Sequence, residues 1–410
     1  MQSFNRLILL LLTVSGVSSS TALEAQRQEW GLDATGCVGL CSSVQVQCNE
    51  AALSNAVANP KNRIITFPDP CTIDLSSRLL IRDAENLTLD CGDHTTFTSY
   101  GLVLSGWKNV IIRGCRFRNM KAGTAGAGDN GDCLTVQASG GCTDCEHQDL
   151  QISGNSCLYA TDEGFDIQAP ADDVAIFDNE INGLYYSEHS KSPAHSYCLR
   201  VGAIGGGTAA ADEVFLYRND FIGCQHRVPQ IVQNAKVYAL ENRAYHYGDP
   251  SWSDEWFGFN CRSENGTTTE IIAQANLFYP GPDNEPNDLS EEPFAIDEGP
   301  GGDCKLFLAN NAVYPLDQSD PITAQNALLF SGSRELNPPF NNQPTSGLPS
   351  IGSRRGPDAN ADADDTLVRG GFECYLDHWD PSSILAEQDT TCSFGTLGIR
   401  DMIQDLLPLE

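Results

Sequence analysis

Short segments that alternate apolar and polar residues recur along the chain, and six of them reach an asparagine five residues after they begin. These segments are LQISGN, VAIFDN, VFLYRN, VYALEN, IIAQAN and LFLANN, which end at Asn155, Asn179, Asn219, Asn242, Asn276 and Asn311. A further segment, VIIRGC, has Cys115 in place of the asparagine. Each has the period of a half-buried strand and is too short for a core helix.

The starts of these segments follow a solenoid period. Leu150 and Val174 are 24 residues apart, Val214 and Val237 are 23 apart, and the wider gaps fit the same repeat with a loop inserted. Asparagine tolerates left-handed backbone angles at a sharp bend, and its amide can bond the amide of the next coil. Parallel stacking would bury a core that no single repeat can bury. The pattern predicts an all-β chain folded as a single-stranded right-handed parallel β-helix.

The predicted β-helix has a cap before it and an arm after it. Residues 48–59, CNEAALSNAVAN, have helical spacing of apolar residues and are expected to cap the first coil. Strand-like segments IITF, RLLI and NLTLD follow. We place the β-helix domain at residues 26–335. Because residues 337–365 are rich in Pro, Gly, Asn and Asp, we expect 336–410 to form an irregular, disulfide-bearing C-terminal arm packed on the β-helix.

The amino terminus and the cysteines both indicate export. Residues 1–25 carry Arg6, an apolar run and small residues, as a secretory signal peptide does. The 16 cysteines then favour disulfides in an extracellular protein. Cys142 and Cys145 form a C-x-x-C without a second ligand pair, which favours a structural bridge over a metal site. Asn86 and Asn265 begin glycosylation sequons, which matter only in a eukaryotic host.

The net charge of −31 argues against nucleic acid as a partner. No stretch beyond the signal peptide is long and apolar enough to span a membrane. The charge would also repel an acidic polysaccharide, although residues 106–121 are locally basic. A bound divalent cation can bridge a carboxylate-rich site to an anionic ligand.

Acidic residues on neighbouring coils form a candidate metal site. Asp162 and Asp166 lie four apart in TDEGFDI, so on an extended segment both would point to one side. Asp132, in GDCLTV, belongs to the coil before, about 4.8 Å away. Carboxylates that converge in this way suit Ca²⁺, and Asp129 can supply a fourth. Taken singly, each aspartate would be read as a surface residue.

Five segments of the chain resemble extracellular pectate lyases of the family that includes pectin lyases, polysaccharide lyase family 1. The segments are NVIIRGCRF, GDCLTV, TDEGFDI, SEHSK and the RVP of CQHRVPQIV, and the likeness covers roughly residues 48–260. The resemblance implies a secreted, monomeric pectate lyase that acts on pectate or pectin. It implies calcium ligands at Asp132, Asp162 and Asp166, and substrate contacts at Lys191, His189 and Arg200. The expected catalytic residues are Arg227, as the general base, and Lys191, which with calcium would neutralise the negative charge that develops on the substrate.

The implied reaction is β-elimination, in which the proton on C5 of a galacturonate unit is removed and the glycosidic oxygen on C4 leaves. Because a free guanidinium stays protonated to about pH 12, neighbouring cations would have to lower the pKa of Arg227. An alkaline optimum is therefore expected. On ordinary pKa grounds His226 is an alternative base, but alternation along a strand would send His226 and Arg227 to opposite faces.

Two departures from the family pattern leave alternatives open. Val232 stands where the family usually has a second arginine, and LQISGN replaces a Trp-Ile-Asp-His strand. A calcium-independent pectin lyase and a non-catalytic pectin-binding β-helix are the alternatives. A hydrolase of the polygalacturonase type is less favoured, because Gly-His-Gly and Arg-x-Lys segments are absent from the sequence.

Overall fold

The computed structural model describes residues 34–313, apart from 38, 121–130, 139–146, 159, 169, 183–196, 204–208, 225–226, 246, 248–256, 275, 280–291 and 310, together with residues 322–323. These residues form one helix, α1 (Glu50–Val57), and a set of short strands with two long ones among them. None of the helical residues in this part of the chain makes a segment long and apolar enough to cross a membrane. The predicted signal peptide and C-terminal arm lie outside the described residues.

The strands are, in chain order, β1 Ser42–Gln45, β2 Lys61–Thr66, β3 Cys71–Asp74, β4 Leu79–Ser99, β5 Leu102–Met120, β6 Leu134–Gln137, β7 Gln148–Ser153, β8 Ser156–Leu158, β9 Glu163–Gln168, β10 Ala171–Phe177, β11 Glu180–Asn182, β12 Tyr197–Gly202, β13 Ala211–Tyr217, β14 Asp220–Ile222, β15 Gln230–Val232, β16 Ala235–Leu240, β17 Arg243–Tyr245, β18 Phe257–Ser263, β19 Thr268–Gln274, β20 Leu277–Tyr279, β21 Glu292–Glu298, β22 Asp303–Ala309, β23 Ala312–Val313 and β24 Ile322–Thr323. Neighbours pair in parallel except β23 and β24.

From β6 to β20, each strand pairs with the strand three places later in chain order, which lies on the next coil. This pairing produces three parallel sheets that run along one solenoid. The first sheet contains β1, β2, β7, β10, β13, β16, β19 and β22. The second contains β3, β8, β11, β14, β17, β20 and β23. The third contains β6, β9, β12, β15, β18 and β21. The long strands β4 and β5 turn through all three sheets. The predicted right-handed parallel β-helix is confirmed.

The repeat read from the sequence is the register of the first sheet. Leu150 lies opposite Val174, and Val214 lies opposite Val237. The alternate residues of these strands, such as Ile152 and Ile176, are fully buried in the core. Asn49 caps the start of helix α1, and its side chain accepts a hydrogen bond from the Ala52 backbone at 2.9 Å. The Leu53 side chain of this helix packs into the core, as expected of a cap.

A continuous hydrogen-bonded ladder joins the six predicted asparagines, all of which are buried. The side-chain nitrogen of each donates to the side-chain oxygen of the next one along the chain, at 2.8–3.0 Å. The same oxygen accepts the backbone N–H of the earlier asparagine, at 2.9–3.2 Å. At the first step the Cys115 backbone donates to Asn155 at 2.9 Å. The prediction that these amides bond from coil to coil is confirmed, and burial makes every such bond costly to lose.

The bend at each step is made by a different residue from the one expected. Left-handed angles occur immediately before the asparagines, at Gly154 (φ 61°), Asp178 (φ 53°), Arg218 (φ 54°) and Glu241 (φ 51°). The expectation that asparagine itself adopts these angles at those four steps is wrong. The ladder already fixes the asparagine through its backbone N–H and its side chain, so the chain turns just before it.

Six disulfides join neighbouring parts of the described chain: Cys37–Cys41, Cys48–Cys71, Cys91–Cys115, Cys133–Cys157, Cys198–Cys224 and Cys261–Cys304. All cysteines among the described residues are paired. The expectation of disulfides is therefore confirmed for this part of the chain. Cys142, Cys145, Cys374 and Cys392 lie outside the described residues.

Candidate active site

The candidate site lies on the outer face of the third sheet, near the N-terminal ends of the stacked strands β6, β9 and β12. Thr135, Asp166 and Arg200 stand opposite one another in β6, β9 and β12. Their neighbours Ile167 and Val201 are fully buried in the core. Because side chains alternate along a strand, Asp166 and Arg200 point away from the core onto the same outer surface.

Three carboxylates meet just before these strands. Asp132, Asp162 and Glu163 each offer an oxygen within 4.8 Å of the others, and all three side chains are at least nine-tenths buried. A hydrogen bond of 3.2 Å from the Glu163 backbone to Asp132 Oδ1 ties the two coils together. We call Asp132, Asp162 and Glu163 the acid group.

Gly164, which follows Glu163, permits β9 to lie close against Ile181 and the Cys198 backbone. A Cβ at Gly164 would lie 2.2 Å from Ile181 Cγ2 and 2.8 Å from the Cys198 carbonyl oxygen. The chain therefore has no room for a side chain at this position.

Burial and mutual repulsion raise the pKa of Asp132 well above its ordinary value. Burial is the largest cause, followed by the charges of Asp162 and Asp166, while Arg78 and a hydrogen bond from Thr135 act in the opposite direction. An acid group with this electrostatic character is stabilised by any cation that enters it. Arg78 supplies one from two coils earlier, with Nη2 3.4 Å from Asp132 Oδ2.

Arg200 holds Asp166 through both carboxylate oxygens. Its Nε donates to Oδ1 at 2.9 Å and its Nη2 to Oδ2 at 2.6 Å. Gln168 also donates to Oδ2, at 2.6 Å. Burial acts to lower the pKa of Arg200, but the charge of Asp166, its hydrogen bond and the charges of Asp132 and Asp162 together outweigh burial, so the pKa of this guanidinium is raised. Asp166 is thus engaged by the protein, and it is not a member of the acid group.

Arg227 lies between the acid group and an aromatic ring. Its Nη1 forms an ion pair with Glu163 Oε1, and its guanidinium carbon is 3.9 Å from the centre of the Tyr197 ring. The Leu199 backbone donates to the Arg227 carbonyl at 2.9 Å, which fixes the loop before β15. Arg200 Nη1 lies 3.2 Å from the same Glu163 oxygen, so the two guanidinium groups share one acceptor.

The structure brings together five of the residues named from the sequence: Asp132, Asp162, Asp166, Arg200 and Arg227. Asp129, His189 and Lys191 lie outside the described residues. Arg227 has left-handed angles (φ 63°) and precedes its strand, so the argument that strand alternation separates it from His226 does not apply. Val232 lies opposite Arg262 on the next coil, which places an arginine one coil beyond the position expected from the family pattern.

Sequence reasoning missed Glu163 and Arg78. The spacing of four between Asp162 and Asp166 assumed that both lie on one strand, but β9 begins at Glu163 and Asp162 belongs to the preceding turn. Glu163 is adjacent to Asp162 in the sequence. A correct prediction that β9 begins at Glu163 would have identified it. Arg78 reaches the site from two coils away, and nothing in its local sequence indicates this contact.

Comparison with solved structures gives two clear likenesses. The thermostable pectate lyase PL 47 has a TM-score of 0.52 at 14% identity, with 79% of this chain and 94% of that chain covered. The pectate lyase PelN of Paenibacillus sp. 0602 has a TM-score of 0.51 at 12% identity, with 72% and 83% covered.

This chain has the parallel β-helix fold of pectate lyases. No protein-family model matches the sequence, and no curated protein is similar enough to match it. At 12–14% identity, the likeness to pectate lyases establishes the architecture, and the chemistry has to be argued from the residues of this chain.

Proposed function

We propose that this protein is a secreted polysaccharide lyase, a pectate lyase that cleaves polygalacturonate by β-elimination. The observation that carries the proposal is the buried acid group, flanked on adjacent coils by Arg200 and Arg227 and from the other side by Arg78. Carboxylates and guanidinium groups in this arrangement can hold a cation and an anionic sugar next to each other. The disulfides are typical of an exported protein.

The residues of the acid group fit calcium. Asp132, Asp162 and Glu163 offer only oxygen ligands, which a hard cation prefers, and their burial and mutual repulsion favour a bound positive charge. We assign these three as the ligands, with Asp166 and Asp129 as further candidates. When bound, calcium would neutralise the uronate carboxylate, where negative charge develops during proton removal.

Arg227 is the proposed base that takes the C5 proton. Its side chain is about one-fifth exposed, so it can reach a sugar lying on the outer face of the third sheet. The C5–H electron pair becomes the C4–C5 double bond, the bond from C4 to the glycosidic oxygen breaks, and water protonates the leaving oxygen. Arg227 must lose a proton to solvent before it can take the C5 proton. Arg200, which contacts the same Glu163 oxygen, places a second positive charge beside Arg227 and favours that loss.

Lys191, His189 and Arg200 are the proposed substrate contacts. Arg200 would bind a uronate carboxylate while it also holds Asp166 in place. We expect the protein to act as an extracellular monomer on pectate or pectin, with no nucleic-acid or membrane partner.

One observation favours a second function, that of a calcium-independent pectin lyase. Arg200 engages both oxygens of Asp166, and Arg78 approaches Asp132, so guanidinium groups already neutralise part of the site. A methylated substrate carries little charge and would need no further cation.

Ultraviolet absorbance of the unsaturated uronate product tests the proposal. Polygalacturonate and methylated pectin would each be incubated with the full chain, in calcium and in chelator. We expect product absorbance from polygalacturonate in calcium only. Product from methylated pectin in chelator would support the pectin lyase instead, and reducing ends without absorbance would indicate hydrolysis. Binding without any cleavage would leave a non-catalytic pectin-binding β-helix.

A further inference from the structure

A second ladder runs along the first sheet, at the corner where each coil enters it. Six residues with left-handed angles occupy equivalent positions on successive coils: Asn62 (φ 49°), Asn86 (φ 50°), Asn109 (φ 54°), Asp149 (φ 57°), Asp173 (φ 49°) and Glu213 (φ 55°). At four of the five steps the residues on both sides pair in register with those of the next coil, and between Asp149 and Asp173 the following residues, Leu150 and Val174, do so. These six side chains therefore follow one line at the coil spacing of about 4.8 Å.

The chemistry of this line changes half-way along. In the first half Asn86 donates to Asn62 at 2.9 Å, and Asn109 donates to Asn86 at 2.7 Å. An amide can both donate and accept, so it can continue such a ladder indefinitely. An ionised carboxylate only accepts, so Asp149, Asp173 and Glu213 can bond to one another only through a shared proton.

We propose that Asp149, Asp173 and Glu213, the acidic seam, form a proton-binding element that holds β7, β10 and β13 together in mild acid and weakens as the pH rises to neutrality. The seam lies on strands β7, β10 and β13 of the first sheet. On each coil, this strand comes earlier in the chain than the third-sheet strand of the candidate active site. The acid group, by contrast, lies at the start of the third-sheet strands. The inference is independent of the proposed function.

The groups that face the seam are mostly acidic. Asp172 and Asp212 stand beside it in register on β10 and β13. Burial, then the charges of Asp172 and Glu213 and a hydrogen bond with Glu213, raise the pKa of Asp173 to about 7. Burial and the charges of Asp212 and Glu213 also raise the pKa of Asp172.

Lys236 is the cation on the following coil. Burial lowers the pKa of its ammonium group, but Tyr238 and the charges of Asp212 and Glu213 raise it by more. Lys236 therefore stays charged through the range in which Asp173 titrates, and it contributes a constant attraction at the Glu213 end of the seam. It leaves the repulsion between Asp149 and Asp173, on the other side, in place.

The sign of the pH effect follows from the raised pKa. The ordinary pKa of an aspartate is 3.8, so between about 4 and 7 the folded chain keeps a proton on Asp173 that the unfolded chain has lost. Stability therefore falls as the pH rises through this window. Above about pH 7 the proton is gone in both states and the loss is complete.

Melting temperatures of the full chain from about pH 4 to about pH 8, in chelator at constant ionic strength, test the acidic seam. Asp173→Asn replaces the central acid with an amide that can both donate and accept, and asparagine accepts left-handed angles readily. We expect this variant to melt about 2–4 °C above the parent at pH 8 and at nearly the same temperature as the parent at pH 4. Glu213→Gln should shift the curve in the same direction.

Asp297→Asn is the matched control, because Asp297 is a half-exposed acid on another sheet of the solenoid. It should leave the pH dependence of the parent unchanged. About 1 M salt shortens the screening length to about 3 Å and should reduce the gap between parent and Asp173→Asn at pH 8. Parallel melting curves for the parent and Asp173→Asn across the whole pH range would overturn the inference, as would an equal gain from Asp297→Asn.

Discussion

Arg227 and Glu163 form an ion pair across two coils, although one belongs to the loop before β15 and the other begins β9. The pair connects the acid group to the proposed base, so a change at Glu163 affects both parts of the proposed chemistry. Arg200 contacts the same Glu163 oxygen. Glu163 is therefore the residue through which cation binding and base positioning are coupled.

Glu163→Gln should weaken calcium binding and lower activity together. The variant removes one of three converging carboxylates but keeps the shape of the side chain. We expect the calcium dissociation constant, measured by titration calorimetry, to rise about 10–100-fold. Glu85→Gln, an exposed acid on β4 paired with Lys61, is the control and should bind calcium like the parent. Unchanged calcium affinity in Glu163→Gln would remove this residue from the ligand set.

Arg227→Lys should abolish most lyase turnover without unfolding the chain. Lysine keeps the charge beside Glu163 but loses the planar group that reaches over Tyr197 and accepts the C5 proton. We expect kcat on polygalacturonate to fall about 10²–10⁴-fold, with a melting temperature close to that of the parent. Arg218→Lys, at an ion pair with Asp178 on the first sheet, should keep full turnover. Equal kcat for Arg227→Lys and the parent would exclude Arg227 as the base.

Asn219→Ala should destabilise the whole solenoid, since Asn219 is fully buried in the middle of the asparagine ladder. Its side chain donates to Ile176 and Asn242 and accepts from Asn179, so truncation leaves several buried groups without partners. We expect a loss of about 3 kcal/mol or more in the free energy of unfolding, measured by denaturant titration. Gln151→Ala removes one partly exposed hydrogen bond on the same sheet and should cost far less.

His147→Phe should make the protein less sensitive to acid. Burial lowers the pKa of His147 from its ordinary 6.5, against the opposing charge of Asp83. As the pH falls below about 6.5, the unfolded chain takes up this proton before the folded chain does, so stability is lost. Phenylalanine can keep the edge contact with Trp107, whose ring centre lies 4.7 Å away. Melting temperatures should therefore fall less in the variant than in the parent between about pH 7 and pH 5.

The architecture was predictable because the spacing of the repeat in the sequence equals the strand-pairing register in the first sheet. The spacing from Leu150 to Val174 is the distance around one coil, and the asparagine marks the same bend each time. The residue that makes the bend was not predictable. The four residues at this position share no chemical property: Gly154, Asp178, Arg218 and Glu241. Their left-handed angles are set by the asparagine ladder that follows, so their own side chains give no signal in the sequence.

The sequence predicted which residues of the candidate site come together better than it predicted the contacts that they make. Asp132, Asp162 and Asp166 do come together, because strand order along the sequence is stacking order in the solenoid. The ion pairs of Arg200 and Arg227 with Glu163 depend on side-chain reach across coils, which no local pattern encodes. Asp129, His189 and Lys191 remain predictions, since they lie outside the described residues.

The asparagine ladder keeps the stacking distance between coils constant although the number of residues in each coil varies. Successive asparagines are 24, 40, 23, 34 and 35 residues apart, yet each step is closed by a hydrogen bond of nearly the same length. The stacking of the described strands is therefore the same whatever number of residues lies between two asparagines, and the strands that carry Asp166 and Arg200 stay one coil apart. A chain built in this way can gain or lose residues between its strands over evolution while the positions of its charged side chains are preserved.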